Sequence, residues 1–263
     1  MIGIFDSGVG GLTVVKELFK QMPGYSSVYF GDTARTPYGN KSPELVSAYA
    51  VENVRFLLDK GAKVIIVACN TASAVAMDAL KKTYPDIPIF EVITPAVKHA
   101  LAVTQTKRIG VIGTSATISS KIYERLIHES ATGAVVIPKA CPLFVPLVEE
   151  NWLKHTETKM IMRKYLMPVK MKMIDTLILG CTHYPLLRPM IEQKMGKQVR
   201  IVDPAHETIR TLQKYLADNP SMDASLSKKV DHAFYFSDVT PKVKDIATRW
   251  LGKEVDPKKV TFA

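Results

Sequence analysis

The chain has 263 residues, 47% of them hydrophobic, which is enough for a substantial core in two ordinary domains and too apolar for a disordered segment. A net charge of +10 would attract anionic substrates or nucleic acid, but it is dispersed over helix faces and the terminal PKK. No zinc-finger spacing, RNA-binding signature or aromatic-basic interleaving accompanies it, so nucleic acid is not the expected partner.

In chain order, IGIF, VYFG, VIIVA, IPIF, RIGVIG, AVVIP, TLILG, VRIV and AFYF are short apolar runs that read as buried strands. Helical periodicity separates them over residues 11–21, 43–60, 72–84, 94–105, 118–130, 155–172, 186–195 and 205–217. Such alternation predicts an α/β fold of βα units on mostly parallel sheets. GIFDSG at 3–8 is echoed by GVIGTS at 110–115, and in each case a strand ending in cysteine follows about 70 residues on. The echo predicts two similar α/β halves with a ligand in the cleft between the carboxyl ends of their strands.

The opening MIGIFDSG has no basic leader, and no run of about 18 uncharged apolar residues follows, so a cytoplasmic protein without a membrane segment is expected. Three cysteines with no CxxC pair make no disulfide framework and leave thiols free for chemistry.

Cys69 in VIIVACNTAS and Cys181 in TLILGCTHYP each stand where a strand gives way to a helix. Unpaired N–H groups and the positive end of a helix dipole favour thiolate there, and a thiol of ordinary pKa about 8.5 needs only a modest downward shift to serve as a base near neutrality. Two such thiols suit removal of a proton from one face of a carbon and return of a proton to the other. A cysteine taken singly reads more readily as a buried structural residue, and it is the strand-end position that favours chemistry.

Asp6 either caps the helix after it or relays a proton near one thiol. His183, two residues beyond Cys181, is a satisfied core histidine or a group that tunes that base, while Glu149 in LVEE reads as a solvated helix edge or a further proton handler. DSGVGG lacks both the GxGxxG order and the Walker lysine, which argues against a nucleotide loop. PYGN at 37–40 is a turn that could offer backbone N–H groups to a carboxylate. Asn70, Thr71, Thr114, Thr117 and Thr182 supply neutral donors at strand ends for an amino acid. Cys141, without the same strand-end pattern, reads as structural, and the Met-rich segment 160–173 as helix packing broken at Pro168.

The ordered set GIFDSGVGG, YFGDTARTPYG, VACNTASA, GVIGTSATI, CPLFVPLVEE, LILGCTHYPLL and IVDPA closely resembles the glutamate racemases of the cofactor-independent aspartate/glutamate racemase superfamily. The resemblance spans about residues 2–210, and AFYFSD with RWLG is similar to the family's last strand and helix. It implies interconversion of L- and D-glutamate without cofactor or metal, supplying D-glutamate for peptidoglycan synthesis. By the same resemblance Cys69 and Cys181 are the two bases, Asp6 assists the first, and His183 and Glu149 assist the second. Substrate contacts carry over to Asp6, Ser7, Pro37, Tyr38, Gly39, Asn70, Thr71, Thr114, Thr117, Thr182 and His183. The implied partner is a small amino acid, glutamate, with a homodimer as the assembly.

The implied domains are 1–95 with 206–263, and 96–205. The sequence departs from the pattern at Asn151, where a glycine is expected, and in the Lys- and Met-rich stretch 151–173. A sister racemase acting on aspartate or hydantoin, a thiol redox protein and a noncatalytic nucleic-acid binder are the alternatives, the redox reading being disfavoured by the missing CxxC.

Overall fold

A computed structural model describes residues 1–261 of the chain. Its contacts group Met1–Val92 with the chain from Ala205 onward into one unit, and Ile93–Pro204 into a second.

The first unit begins β1 (Ile2–Asp6), α1 (Leu12–Gln21), β2 (Ser27–Gly31), α2 (Pro43–Asp59), β3 (Val64–Val67), α3 (Asn70–Val75), α4 (Met77–Thr83) and β4 (Ile89–Glu91). The second contains α5 (Ile93–Val103), β5 (Arg108–Gly113), α6 (Ser115–Ser119), α7 (Ile122–Ser130), β6 (Val135–Ala140), α8 (Phe144–Glu149), α9 (Thr156–Lys170), β7 (Thr176–Gly180), α10 (Arg188–Met195) and β8 (Arg200–Val202). The chain then rejoins the first unit through α11 (Pro204–Asp218), α12 (Pro220–Ser225), β9 (His232–Phe236), α13 (Pro241–Leu251) and β10 (Pro257–Lys259).

The first sheet runs β10-β9-β2-β1-β3-β4 and the second β6-β5-β7-β8, with every neighbouring pair parallel. Residues of β1, β2, β3 and β7 are buried throughout, as continuous apolar strands must be when helices cover both faces. In the first unit Phe5, Phe30, Val54, Leu57, Ile65 and Val67 belong to one buried cluster, and full burial of each such side chain contributes about 1.5–3 kcal/mol. Local chemistry fixes the helix ends. Ser42 caps α2 by accepting from the Leu45 N–H ahead of Pro43, and Thr240 does the same for α13 from Val243 ahead of Pro241. Gly252, at φ +68°, then closes α13.

The two sheets share a plan. β1 and β5 each lie between the next strand of the chain on one side (β2, β6) and the strand that leads to Cys69 or Cys181 on the other (β3, β7). The sequence echo of GIFDSG and GVIGTS therefore marks topologically equivalent strands.

Several boundaries differ from the periodicity. The helix expected over 118–130 is two helices, because Lys121 adopts φ +54° and turns the chain between them. The one expected over 72–84 starts at Asn70 and divides at Ala76. Segment 160–173 is not broken at Pro168. There α9 continues to Lys170, since a proline near a helix's last turn forfeits a single hydrogen bond. Strand β6 passes through Pro138, which an edge strand tolerates, and reaches Ala140. The basic PKK contributes β10, and α12 had no sequence signal. Among the described residues no helix is long and apolar enough to cross a membrane.

Candidate active site

In the first unit β1 and β3 deliver their ends side by side, with Phe5 in register with Val67. Cys69 follows β3 as the N-cap of α3, its backbone extended and its carbonyl receiving the Ser73 N–H. Its Sγ donates to Ser7 Oγ at 3.4 Å. Asn70 and Thr71 follow in the first turn of α3, buried with Cys69.

Asp6 does not cap α1. The N-cap is Gly11, without a side-chain cap, while Asp6 Oδ2 accepts the Gly8 N–H at 2.9 Å and so folds the DSG loop back on itself. That packing requires Gly11 to lack a side chain, since a Cβ there would stand 2.6 Å from Asp6 Cβ and 3.0 Å from the Tyr29 ring. Tyr29 donates to Gly8 O at 2.8 Å from beneath, and burial together with the Asp6 and Cys69 charges pushes its hydroxyl well above its ordinary pKa.

The PYGN turn forms a single 3₁₀ turn, Tyr38–Asn40, packed near α3 after a cis Thr36–Pro37 bond. Tyr38 is buried, and its hydroxyl donates to Asp32 Oδ2 while accepting from Asn53 Nδ2 at 3.0 Å. Burial, then the Asp32 charge, raises the phenol's pKa strongly. The hydroxyl is thus engaged, and what the turn can present to a ligand is backbone around Tyr38 and Gly39, beside the exposed Pro37. Asp32 organises this turn, taking Arg35 Nε at 2.7 Å and Ser237 Oγ at 2.9 Å with its own side chain fully buried. Sequence reasoning passed over Asp32, Asn53 and Ser237. The DT pair after YFG was the available signal, but Ser237 lies 205 positions away.

In the second unit Thr114 follows β5 and caps α6, accepting the Thr117 N–H at 3.3 Å, with the two hydroxyls 3.0 Å apart. Cys181 follows β7 in the equivalent place, and a 3₁₀ turn at Tyr184–Leu187 precedes α10. Cys181 Sγ stands 3.9 Å from His183 Nδ1, and His183 Nε2 stands 2.9 Å from Glu149 Oε1. Glu149, at the end of α8 and half-buried, is therefore more than a solvated helix edge: it is the outer end of a relay whose inner members, His183 and Cys181, are buried. Burial opposes charge on His183, yet the hydrogen bonds to Cys181 and Glu149 outweigh it and raise the imidazole to about 10. The imidazolium so favoured stands between the Cys181 sulfur and the Glu149 carboxylate, held by charge-assisted bonds. Thr182 is buried in the same loop.

Cys141 also follows a strand, because β6 extends to Ala140. It differs in its surroundings: Tyr184 donates to its carbonyl at 2.9 Å, and burial pushes its thiol up to about 12. Asn151 has φ +57°, the left-handed region that glycine favours and asparagine tolerates, which accounts for a glycine being expected there. Among the described residues no three His, Cys, Asp or Glu side chains gather as a metal site.

Two α/β units with parallel sheets, in which Cys69 and Cys181 follow equivalent strands beside loops of hydroxyls, carry the sequence of the Asp/Glu/hydantoin racemases: the model of that family matches residues 5–212, and the chain belongs to it. Within the family, the glutamate racemase of Geobacter metallireducens is 45% identical over 251 residues, covering 95% of this chain and 92% of the relative. The crystal structure of glutamate racemase isoform RacE1 from Bacillus anthracis matches with a TM-score of 0.93 at 39% identity, over 100% of this chain and 97% of that one. That of the Francisella tularensis glutamate racemase in complex with D-glutamate matches with a TM-score of 0.91 at 35% identity, over 99% and 97%. The aspartate racemase of Picrophilus torridus shares the fold at 18% identity and a TM-score of 0.55, over 82% of this chain and 94% of that one.

Proposed function

We propose that this chain is a glutamate racemase, an isomerase that interconverts L- and D-glutamate directly, with Cys69 and Cys181 as its two bases. The observation that carries this reading is the pair of thiols, each at the end of the strand beside its unit's equivalent strand and each with its own proton-handling partner. High identity to glutamate racemases over nearly the whole chain supports glutamate over aspartate as substrate.

The α-proton of zwitterionic glutamate is very weakly acidic, so charge developing on the α-carboxylate must be met by fixed donors. Ser7, Asn70, Thr71, Thr114, Thr117 and Thr182, with backbone N–H groups of Tyr38 and Gly39, are the donors we assign to the substrate. Cys69 and Cys181 act on opposite faces of the α-carbon: one sulfur, as thiolate, takes the proton while the other, as thiol, gives one. The enzyme therefore alternates between two protonation states, and the opposite enantiomer uses the pair in the opposite sense. Asp6 and Ser7 serve the Cys69 side. His183, charged and braced by Glu149, serves the Cys181 side. In this reading the enzyme works in the cytoplasm as a homodimer, and its product supplies peptidoglycan synthesis.

The test is proton NMR of L-glutamate, and separately D-glutamate, with metal-stripped and cofactor-free protein in D2O. Loss of the α-proton signal is expected, with the other enantiomer appearing by chiral chromatography of the same samples. Exchange of aspartate while glutamate stays protonated would overturn the substrate assignment, and no exchange with either would overturn racemisation itself.

A further inference from the structure

No tyrosine hydroxyl enters the chemistry assigned above, yet two of them, one in each unit, are buried against the thiol loops. In the first unit Tyr29 stands at the middle of β2, in register with Ile4 of β1. Its hydroxyl donates to the Gly8 carbonyl at 2.8 Å, while the N–H of the same glycine goes to Asp6 Oδ2 at 2.9 Å. Gly8 is thus gripped on both sides, and Ser7, between it and Asp6, is set where its Oγ accepts from Cys69 Sγ at 3.4 Å. Two residues on, and so on the same face of β2, the strand leaves room for this contact: a Cβ at Gly31 would stand 2.3 Å from Gly8 O. The tilted rings of Phe234 and Phe236, with centroids at 6.4 and 5.6 Å, hold the phenol ring from the side.

In the second unit Tyr184 follows His183 directly and opens the 3₁₀ turn after Cys181. Its N–H returns to the Cys181 carbonyl at 3.1 Å, and its hydroxyl donates to Cys141 O at 2.9 Å. That carbonyl also receives the N–H of Phe144, the first residue of α8, at 3.1 Å, so both of its lone pairs are used. The edge-on contact of the Phe144 and Tyr184 rings, with centroids 5.3 Å apart, packs the same junction. Helix α8 ends in Glu149, so the phenol ties the turn that carries His183 to the helix that carries the carboxylate bracing it. Cys141 lends this junction its carbonyl and not its thiol.

We propose that Tyr29 and Tyr184 are positioning residues, one for each thiol: Tyr29 sets Ser7 and Asp6 beside Cys69 through the Gly8 carbonyl, and Tyr184 sets His183 against Glu149 through the Cys141 carbonyl. The inference rests on the racemase reading above. Burial first, then the charges of Asp6 and Cys69 in one case and of Cys181 and Cys141 in the other, pushes both hydroxyls well above the ordinary tyrosine value. Each therefore stays protonated, a fixed donor and not a proton carrier. Proton transfer is sensitive to such fixing, because a misplacement of about 1 Å in a reacting group costs about 10²-fold in rate. The plan repeated in the two units thus extends to a phenol–carbonyl clamp at each base, although the groups it holds differ.

The experiment measures kcat and KM for L- and D-glutamate in Tyr29→Phe and Tyr184→Phe, each of which keeps the ring and loses only the hydroxyl. Tyr84→Phe is the control, since Tyr84 also donates to a backbone carbonyl, Val51 O at 2.9 Å, outside both thiol loops. Expected are a fall in kcat of about tenfold with KM within about threefold for the first two, and a change below about twofold for the control. Double-mutant cycles then test the route. Tyr29→Phe should cost less than about twofold once Asp6→Asn is present, and Tyr184→Phe as little on Glu149→Gln, whereas the crossed pairs should multiply. A loss of general stability multiplies in every pair. Thermal melts by circular dichroism set a temperature at which each variant is folded. Parent-like kcat in either of the first two variants, or multiplication within either matched pair, would overturn the proposal. Absence of turnover in the parent would instead overturn the racemase reading, and this one with it.

Discussion

The loops that carry Cys69 and Cys181 occupy equivalent places in two sheets of the same plan, yet they are furnished differently. Beside Cys69 stand a hydroxyl, Ser7, and the buried carboxylate of Asp6 in the adjoining loop. Beside Cys181 stands a charged imidazole braced by a second carboxylate. The backbone scaffold is thus repeated while the proton-handling groups are not. A reaction with two mirror-related halves requires the position of the thiol to be duplicated, but each thiol can be tuned by whatever chemistry its own loop supplies.

The largest expected effect tests the duplication. Cys69→Ser and Cys181→Ser should each lower kcat by about 10³-fold or more, the scale of a lost general base or acid. Since the equilibrium constant between enantiomers is one, kcat/KM must fall by the same ratio in both directions. A variant keeping turnover within about tenfold of the parent would remove its loop from the chemistry and break the symmetry of roles.

Next comes the difference between the loops. Glu149→Gln removes the brace from His183 while keeping its shape, and loss of this part-buried charge-assisted bond should lower kcat by about 10- to 100-fold. A pH signature separates this from a simple packing defect. The folded pKa of His183 is raised above the unfolded value of about 6.5, so the stabilisation it provides is fully present below pH 6.5 and is lost as pH rises towards about 10. The gap in Tm between the parent and Glu149→Gln should therefore be widest near pH 6 and close towards pH 10. A gap independent of pH would show that the carboxylate acts by packing alone.

How far all this could be read from the sequence depends on whether a signal was local. The parallel strands were legible because burial on both faces leaves unbroken apolar runs such as VIIV and TLILG. Both thiols were legible because each sits at the end of such a run. What escaped depends on long-range closure: Asp32 gains its role through Ser237, 205 positions away, whereas Glu149, ambiguous in its own run, was named by the resemblance and meets a histidine 34 positions away. Cys141 escaped for another reason. Pro138 made AVVIP look finished, whereas an edge strand carries the proline and runs on to Ala140. Strand-end position, the feature that drew attention to Cys69 and Cys181, is therefore shared by all three cysteines, and only their neighbours distinguish them.

A smaller effect tests the packing of Gly11 against Asp6 in the first unit. Gly11→Ala would place a methyl 2.6 Å from Asp6 Cβ, against buried atoms with little room to yield. Overpacking of this kind costs about 1–3 kcal/mol, read as a lowered denaturant midpoint at unchanged slope. Activity should fall further than that stability loss accounts for, because the displaced group is Asp6. An alanine variant with the parent's midpoint and turnover would show that the loop relaxes freely and that Asp6 is not held in place by the glycine.

The smallest effect belongs to Cys141, and it sharpens the comparison from outside. Burial drives its thiol up to about 12, so at pH 8 only about one molecule in 10⁴ carries thiolate there, and thiolate is the species that alkylates. Under native conditions iodoacetamide should inactivate the enzyme through the other two cysteines and leave Cys141 unmodified, as peptide mapping would show. Cys141→Ala should keep turnover within about twofold and lose only the modest stability of a small buried side chain. All three thiols are buried, so exposure does not separate them. Preferential alkylation of Cys141 would mean that its neighbours do not suppress it, and the distinction drawn here between a strand-end thiol with proton-handling partners and one without would fail.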